Sequence, residues 1–98
     1  MAVLFIISKS PFKKTEPLLY LRLTRQNDTV IFIQDGVIAA LGGPNEFKKE
    51  LEEAIKRGVE ILFLKEDLEA RGLQTDKKLV DYDGFLELIE NKEKVMSL

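Results

Sequence analysis

Three short runs of branched and aromatic residues divide the chain at regular intervals. They span residues 2–8, 29–33 and 60–64, and their continuous apolar character is typical of strands buried on both faces of a sheet. A shorter run over residues 79–82 predicts a fourth strand. Segments with helical features separate these runs, and strands that alternate with helices predict a parallel sheet covered by helices. The pattern leaves the strand order open.

The helices are predicted from residues that cap helices and from apolar residues at helical spacing. Residues 91–98 show neither feature and are predicted to form a tail. The predicted helices are, in chain order, one after Thr15, one over residues 37–41, one over 46–57 after Asn45, one over 66–71 and one after Asp83.

Two of these helices have a clear apolar side that we expect to face the core. In residues 46–57, Phe47, Leu51 and Ile55 recur four positions apart. The apolar side of the first helix is predicted to consist of Leu18, Leu19, Leu21 and Leu23.

Polar segments follow each predicted strand, at residues 8–10, 34–36, 65–67 and 81–83. The carboxyl ends of parallel strands meet at one edge of a sheet, so these segments are expected to lie together. In the second segment, Gln34 can bridge neighbouring loops, Asp35 can accept backbone N–H groups at a helix start, and Gly36 permits a tight turn. The segment can serve only as a helix cap, or as a contact surface for a partner or small ligand.

The composition restricts the chemistry that the chain can perform. Its 98 residues suit a single domain over residues 1–98, and a net charge of −2 provides no global attraction for nucleic acid. The chain contains no Cys and no His, which excludes thiolate chemistry and the usual Ser-His or Cys-His nucleophiles. The apolar start lacks a basic segment and a cleavage site, so we expect a cytoplasmic protein without a signal peptide.

Four carboxylates near the predicted edge form one candidate site. Asp35, Glu66, Asp67 and Asp81 could supply oxygen ligands to a hard cation such as magnesium. Carboxylates that cap three helix starts explain the same residues more simply, and no metal or cofactor is therefore predicted.

A second candidate site is basic. Lys9, Lys13 and Lys14 surround Phe12, a combination that can contact RNA. No known RNA-binding motif accompanies them, so a solvated loop is the simpler interpretation.

The polar segments at successive strand ends together resemble those of the DsrH/TusB family of small sulfur-relay subunits. The resemblance covers residues 1–90 and rests on the order and spacing of the motifs. These motifs are Ser10-Pro11-Phe12, Gln34-Asp35-Gly36-Val37 with Ala39-Ala40, residues 65–73, and Asp81-Tyr82-Asp83-Gly84-Phe85.

The resemblance implies a DsrEFH-like three-layer α/β/α sandwich with a mostly parallel sheet of four or five strands. It also implies a heterohexamer with DsrE/TusD-like and DsrF/TusC-like subunits. In that system, cysteines of partner proteins pass a persulfide that becomes the 2-thio group of the tRNA wobble uridine. Some relatives carry a cysteine in the first helix, where this chain has Tyr20. The resemblance therefore implies a non-catalytic subunit that serves tRNA only indirectly.

Two other functions stay open at this stage: a stand-alone homo-oligomer that binds an unknown ligand, and a subunit of a dissimilatory sulfur-oxidation complex. A metal-dependent enzyme is disfavoured because His and Cys are absent. Under the family interpretation, the strand-end residues become candidates for the interface with other subunits. The candidate interface residues are Ser10, Gln34, Asp35, Gly36, Lys65, Glu66, Asp67, Asp81 and Tyr82.

Overall fold

A computed structural model of the chain describes residues 2–97 and contains a five-stranded sheet in which every pairing is parallel. The predicted α/β class is confirmed, and the sheet has the larger of the two strand numbers that the family resemblance implied. The strands are β1 (Val3–Ile7), β2 (Thr29–Phe32), β3 (Glu60–Leu64), β4 (Leu79–Val80) and β5 (Lys94–Ser97). Their order across the sheet is β4-β3-β2-β1-β5.

Helices cover both faces of the sheet because successive residues of a strand point to opposite sides. The helices are α1 (Glu16–Leu23), a 3₁₀ helix (Gln34–Leu41), α2 (Asn45–Lys56), α3 (Lys65–Ala70) and α4 (Tyr82–Asn91). Phe5 and Ile7 of β1 pack with α1, α2 and the 3₁₀ helix on one face. Leu4 and Ile6 pack with Phe85 of α4 on the other face.

Some residues of the predicted apolar sides of α1 and α2 are exposed and lie outside the core. Leu21 is fully buried, whereas Leu19 and Leu23 are 50% and 55% exposed. Residues two positions apart lie on nearly opposite sides of a helix, so α1 cannot bury all three. Ile55 of α2 is 54% exposed and lines an open groove beside β3.

The predicted tail is wrong for most of its length. Asn91 ends α4, and Lys94–Ser97 forms β5, which pairs with β1 from Val3 opposite Lys94. The hydroxyl of Tyr20 donates a hydrogen bond of 3.0 Å to the carbonyl of Ser97. The sequence did not indicate this strand, because the strand is held by backbone pairing with β1 and its own residues show little apolar pattern. Leu98 lies outside the described residues.

The start of the last helix also differs from the prediction. Asp81, not Asp83, is the N-cap of α4, and its Oδ1 accepts the Gly84 N–H at 2.8 Å. Because α4 begins at Tyr82, directly after this cap, β4 ends at Val80 and cannot extend to residue 82.

Two other predicted caps use no side-chain hydrogen bond. Thr15 precedes α1, but its backbone is in the helical region and not in the extended region that side-chain capping needs. Asn45 is the first residue of α2, and Pro44 takes the N-cap position before it.

Candidate interface at the carboxyl edge of the sheet

Two carboxylates at the start of α3 connect the loops that follow three neighbouring strands. Oδ2 of Asp67 accepts the backbone N–H of Gln34 at 2.6 Å, and Oε2 of Glu66 accepts the backbone N–H of Tyr82 at 3.2 Å. Because β3 lies between β2 and β4, a helix that follows β3 reaches the loops on both sides. Adjacent acidic residues therefore hold the loops after β2 and β4 against α3.

Gln34 connects the loops through its backbone. Its φ of +51° lies in the left-handed region, which residues other than glycine adopt at a cost. The N–H that Asp67 accepts belongs to this residue, so the carboxylate stabilises an unusual turn directly after β2. The sequence predicted a bridge through the side-chain amide of Gln34, whereas the contact in the structure uses its main chain.

Asp35 has a different role from the predicted cap. The 3₁₀ helix begins at Gln34, its N-cap is Ile33, and no side chain caps it. Asp35 lies inside the first turn, and its Oδ1 is 3.0 Å from Nη2 of Arg71. Nη1 of Arg71 donates to the carbonyl of Asp67 at 3.2 Å, which places the guanidinium between α3 and the 3₁₀ helix.

The sequence prediction missed the role of Arg71. The residue lies four positions after Asp67, at the end of α3, where a cation is expected for the helix dipole alone. Its contact with Asp35 spans 36 residues, so no local pattern could have indicated it.

Gly36 is required for close packing and not for the predicted tight turn. It lies inside the 3₁₀ helix and is buried. A Cβ built on it would overlap the carbonyl oxygen of Ile7, at the end of β1. The start of the 3₁₀ helix thus approaches the end of β1 at a distance that only glycine allows.

Ser10 is the second buried residue of the predicted interface, with 4% of its surface exposed. Its hydroxyl accepts the Phe12 N–H at 3.1 Å. Ser10 and Gly36 therefore support the loops from inside the chain. The seven other candidates are wholly or partly exposed, and we refer to them as the acidic edge: Gln34, Asp35, Lys65, Glu66, Asp67, Asp81 and Tyr82.

Tyr82 is the largest apolar group on the acidic edge. The residue is 53% exposed, and its ring contacts Phe85 edge-on, with the ring centroids 6.3 Å apart. Aromatic side chains of this kind are enriched in the cores of protein interfaces, and charged residues surround them at the rim. The acidic edge thus combines an aromatic ring with loops already fixed by hydrogen bonds.

The carboxylates do not converge on a common point. Each of the four considered as magnesium ligands contacts a different group: Arg71 for Asp35, and the backbone N–H groups of residues 82, 34 and 84 for the others. Among residues 2–97, no group of three or more acidic side chains is placed to hold a metal ion. None of the helices described in that range has the length and apolar character to cross a membrane.

Comparison with known proteins points to one family. The family model described as "DsrH like protein" matches residues 9–95. Protein TusB of Serratia proteamaculans is 35% identical over 99 residues, which cover 97% of this chain and 99% of that protein. Protein TusB of Erwinia tasmaniensis is 36% identical with the same coverage, and Protein TusB of Escherichia coli is 36% identical over 88% of this chain and 90% of that protein.

A solved structure has the same fold. The solution NMR structure of protein Tm0979 from Thermotoga maritima superimposes with a TM-score of 0.64. The two sequences are 25% identical, and the match covers 95% of each chain.

Proposed function

Because this chain belongs to the family of DsrH-like proteins, we propose that it is a non-catalytic subunit of a sulfur-relay complex that supports 2-thiolation of the tRNA wobble uridine. The observation that carries the proposal is the similarity to TusB proteins over 97% of the chain. The proposed complex works in the cytoplasm, where tRNA is modified.

The absence of Cys and His from the sequence supports an accessory role. A persulfide needs a thiolate to carry it, so the sulfur must travel on cysteines of other chains. Tyr20 fills the first-helix position where some relatives have cysteine. Its ring contacts Phe5 at a centroid distance of 5.7 Å, and its hydroxyl donates a hydrogen bond to the carbonyl of Ser97. That position serves the packing of α1 and β5 in this chain.

The proposed partners are a DsrE/TusD-like and a DsrF/TusC-like subunit, with two copies of each of the three chains in a heterohexamer. The proposed contact surface is the acidic edge. Its loops are fixed by Asp67 and Glu66 before any partner binds, which lowers the entropy that association would cost. Its charges favour correct partners and oppose wrong ones.

Co-expression with the two partner subunits from the same organism tests the proposal. Purification through a tag on this chain should recover a heteromer, and native mass spectrometry should give its subunit ratio. Tyr82→Ala should lower the recovered complex about tenfold, because exposed aromatic anchors carry much of the binding energy of an interface. Phe12→Ala, which removes an exposed ring from the loop after β1, is the matched control and should leave the heteromer intact.

Three outcomes would contradict parts of the proposal. A homo-oligomer that binds neither partner would support the alternative of a stand-alone protein with an unknown ligand. A heteromer that forms equally well with Tyr82→Ala would exclude the acidic edge as the interface. The amount of 2-thiouridine in tRNA can be measured by mass spectrometry of nucleosides in cells of the source organism that lack this chain. If that amount were normal, the complex would serve another sulfur pathway.

A further inference from the structure

The turn after β1 holds three lysines and an exposed aromatic ring in a fixed arrangement. The carbonyl of the buried Ser10 accepts the N–H groups of Lys13 and Lys14 at 3.2 and 3.1 Å, and its hydroxyl accepts that of Phe12. Lys9 directly precedes Ser10 in the sequence. We refer to residues 9–14 as the basic turn. Its hydrogen bonds and its buried serine keep the cationic side chains close together.

An open cleft of about 280 Å³ lies between the basic turn and the start of the 3₁₀ helix. Lys9, Lys13 and Lys14 line it together with Asp35. The Asp35 carboxylate is 3.0 Å from the guanidinium of Arg71, so a cation from α3 offsets its charge. The cleft therefore carries a local positive charge although the chain has a net charge of −2.

Phe12 lies inside the basic turn and is 56% exposed. A turn that presents both an exposed ring and three lysines matches a single-stranded nucleic acid, in which phosphates alternate with bases that stack on aromatic side chains. An acidic protein segment would also pair with the lysines, but it would leave the ring without a function.

We propose that the basic turn and its cleft bind single-stranded RNA. The ammonium groups of Lys9, Lys13 and Lys14 contact phosphates, and the ring of Phe12 stacks on a base. This inference goes beyond the proposed function, in which tRNA is served only indirectly, because it gives this chain a direct contact with RNA. The basic turn follows β1 and the acidic edge follows β2, β3 and β4, and the cleft lies where the two surfaces meet, because Asp35 of the acidic edge lines it.

Fluorescence anisotropy with a short fluorescein-labelled single-stranded RNA tests the inference on the full chain and on the assembled complex. Three phosphate contacts predict that the logarithm of the affinity falls with the logarithm of the salt concentration with a slope of about −2. The triple variant Lys9→Ala, Lys13→Ala, Lys14→Ala should lose at least about tenfold in affinity and should bring that slope close to zero.

Two further variants distinguish RNA binding at a specific site from nonspecific attraction to positive charge. Lys48→Ala, Lys49→Ala, Lys56→Ala removes the same charge from the exposed side of α2 and should change the affinity by less than about twofold. Phe12→Ala should lower the affinity about tenfold through lost stacking but should leave the salt slope unchanged. Circular dichroism verifies that each variant is folded.

Equal losses in the two lysine triples would overturn the inference, as would an unchanged affinity in Phe12→Ala. A labelled glutamate-rich peptide that binds more tightly than RNA, with the same dependence on the three lysines, would assign the turn to an acidic protein partner and would also overturn it. Native mass spectrometry of the complex in the same variants should show normal assembly. Failure of RNA binding is thereby distinguished from failure of the proposed function.

Discussion

Two regions share the carboxyl edge of the sheet but are held in place in different ways. The acidic edge depends on hydrogen bonds that cross 33 residues from Asp67 to Gln34 and 16 residues from Glu66 to Tyr82. The basic turn depends on contacts between Ser10 and residues two to four positions later. The acidic edge can exist only once β2, β3 and β4 are paired, whereas the basic turn is defined by its own sequence.

This difference predicts how each region responds to substitution. A change in the acidic edge should alter the coupling between loops and therefore the stability of the fold. A change on the surface of the basic turn should alter binding alone, since its lysines and Phe12 are exposed. The regions meet at Gly36, where the 3₁₀ helix lies against the end of β1.

The largest expected effect on stability comes from Gly36→Ala, which should push the 3₁₀ helix away from the end of β1, where the two regions meet. The new Cβ would overlap the Ile7 carbonyl oxygen, and a backbone atom cannot move aside as a flexible side chain can. We expect the free energy of unfolding to fall by about 3 kcal/mol, at the upper end of the cost of overpacking. Urea unfolding followed by circular dichroism measures the change.

Gly72→Ala provides the control for this substitution. Gly72 has a φ of +65°, but a Cβ there would meet no atom within 4 Å. An alanine in the left-handed region costs about 1 kcal/mol. If Gly36→Ala cost no more than Gly72→Ala, the close contact between the 3₁₀ helix and β1 would not be required.

A smaller effect is expected from Asp67→Ala, which removes the acceptor for the Gln34 N–H. The loss of one solvent-exposed hydrogen bond to a charged group should lower the free energy of unfolding by about 1.5 kcal/mol. Asp67→Asn keeps one acceptor oxygen and should restore about half of that loss. The measurement is again urea unfolding, supplemented by hydrogen exchange of the Gln34 amide, which should quicken in Asp67→Ala.

Glu69→Ala on the same helix is the matched control, because it removes an equal charge from an exposed position of α3. It should change the free energy of unfolding by less than about 0.5 kcal/mol. Equal losses in Asp67→Ala and Glu69→Ala would mean that the charge of α3, and not the contact with Gln34, stabilises the loop.

The sequence was sufficient for features that depend on nearby residues. The continuous apolar runs predicted β1, β2 and β3, because a strand buried on both faces has no polar side. Pro17 lies in the first turn of α1, and Gly58 and Gly72, both with positive φ, follow the C-caps of α2 and α3, which are positions typical of these residue types. Asp81 and Asp83 could not be separated, since both are good N-cap residues on either side of Tyr82.

Features that depend on strand order could not be predicted. Asp67 can reach Gln34 only because β3 lies beside β2, and the apolar pattern does not determine which strands are neighbours. Arg71 was overlooked for the same reason. The seven exposed candidates were placed at the correct edge by the general property of parallel sheets, but their individual partners required the structure.

The smallest expected effect on stability comes from the ion pair between Asp35 and Arg71, and it offers the sharpest test of the acidic edge as an interface. The Asp35 side chain is 68% exposed and that of Arg71 is 30% exposed, so solvent screens the pair. Asp35→Ala should lower the free energy of unfolding by less than about 0.5 kcal/mol. Arg71→Ala should cost slightly more, because it also removes the hydrogen bond to the Asp67 carbonyl. Assembly should respond differently, since the more exposed Asp35 is available to a partner. Native mass spectrometry should show a larger loss of heteromer for Asp35→Ala than for Arg71→Ala, and an unchanged complex in Asp35→Ala would show that this carboxylate stabilises only its own chain.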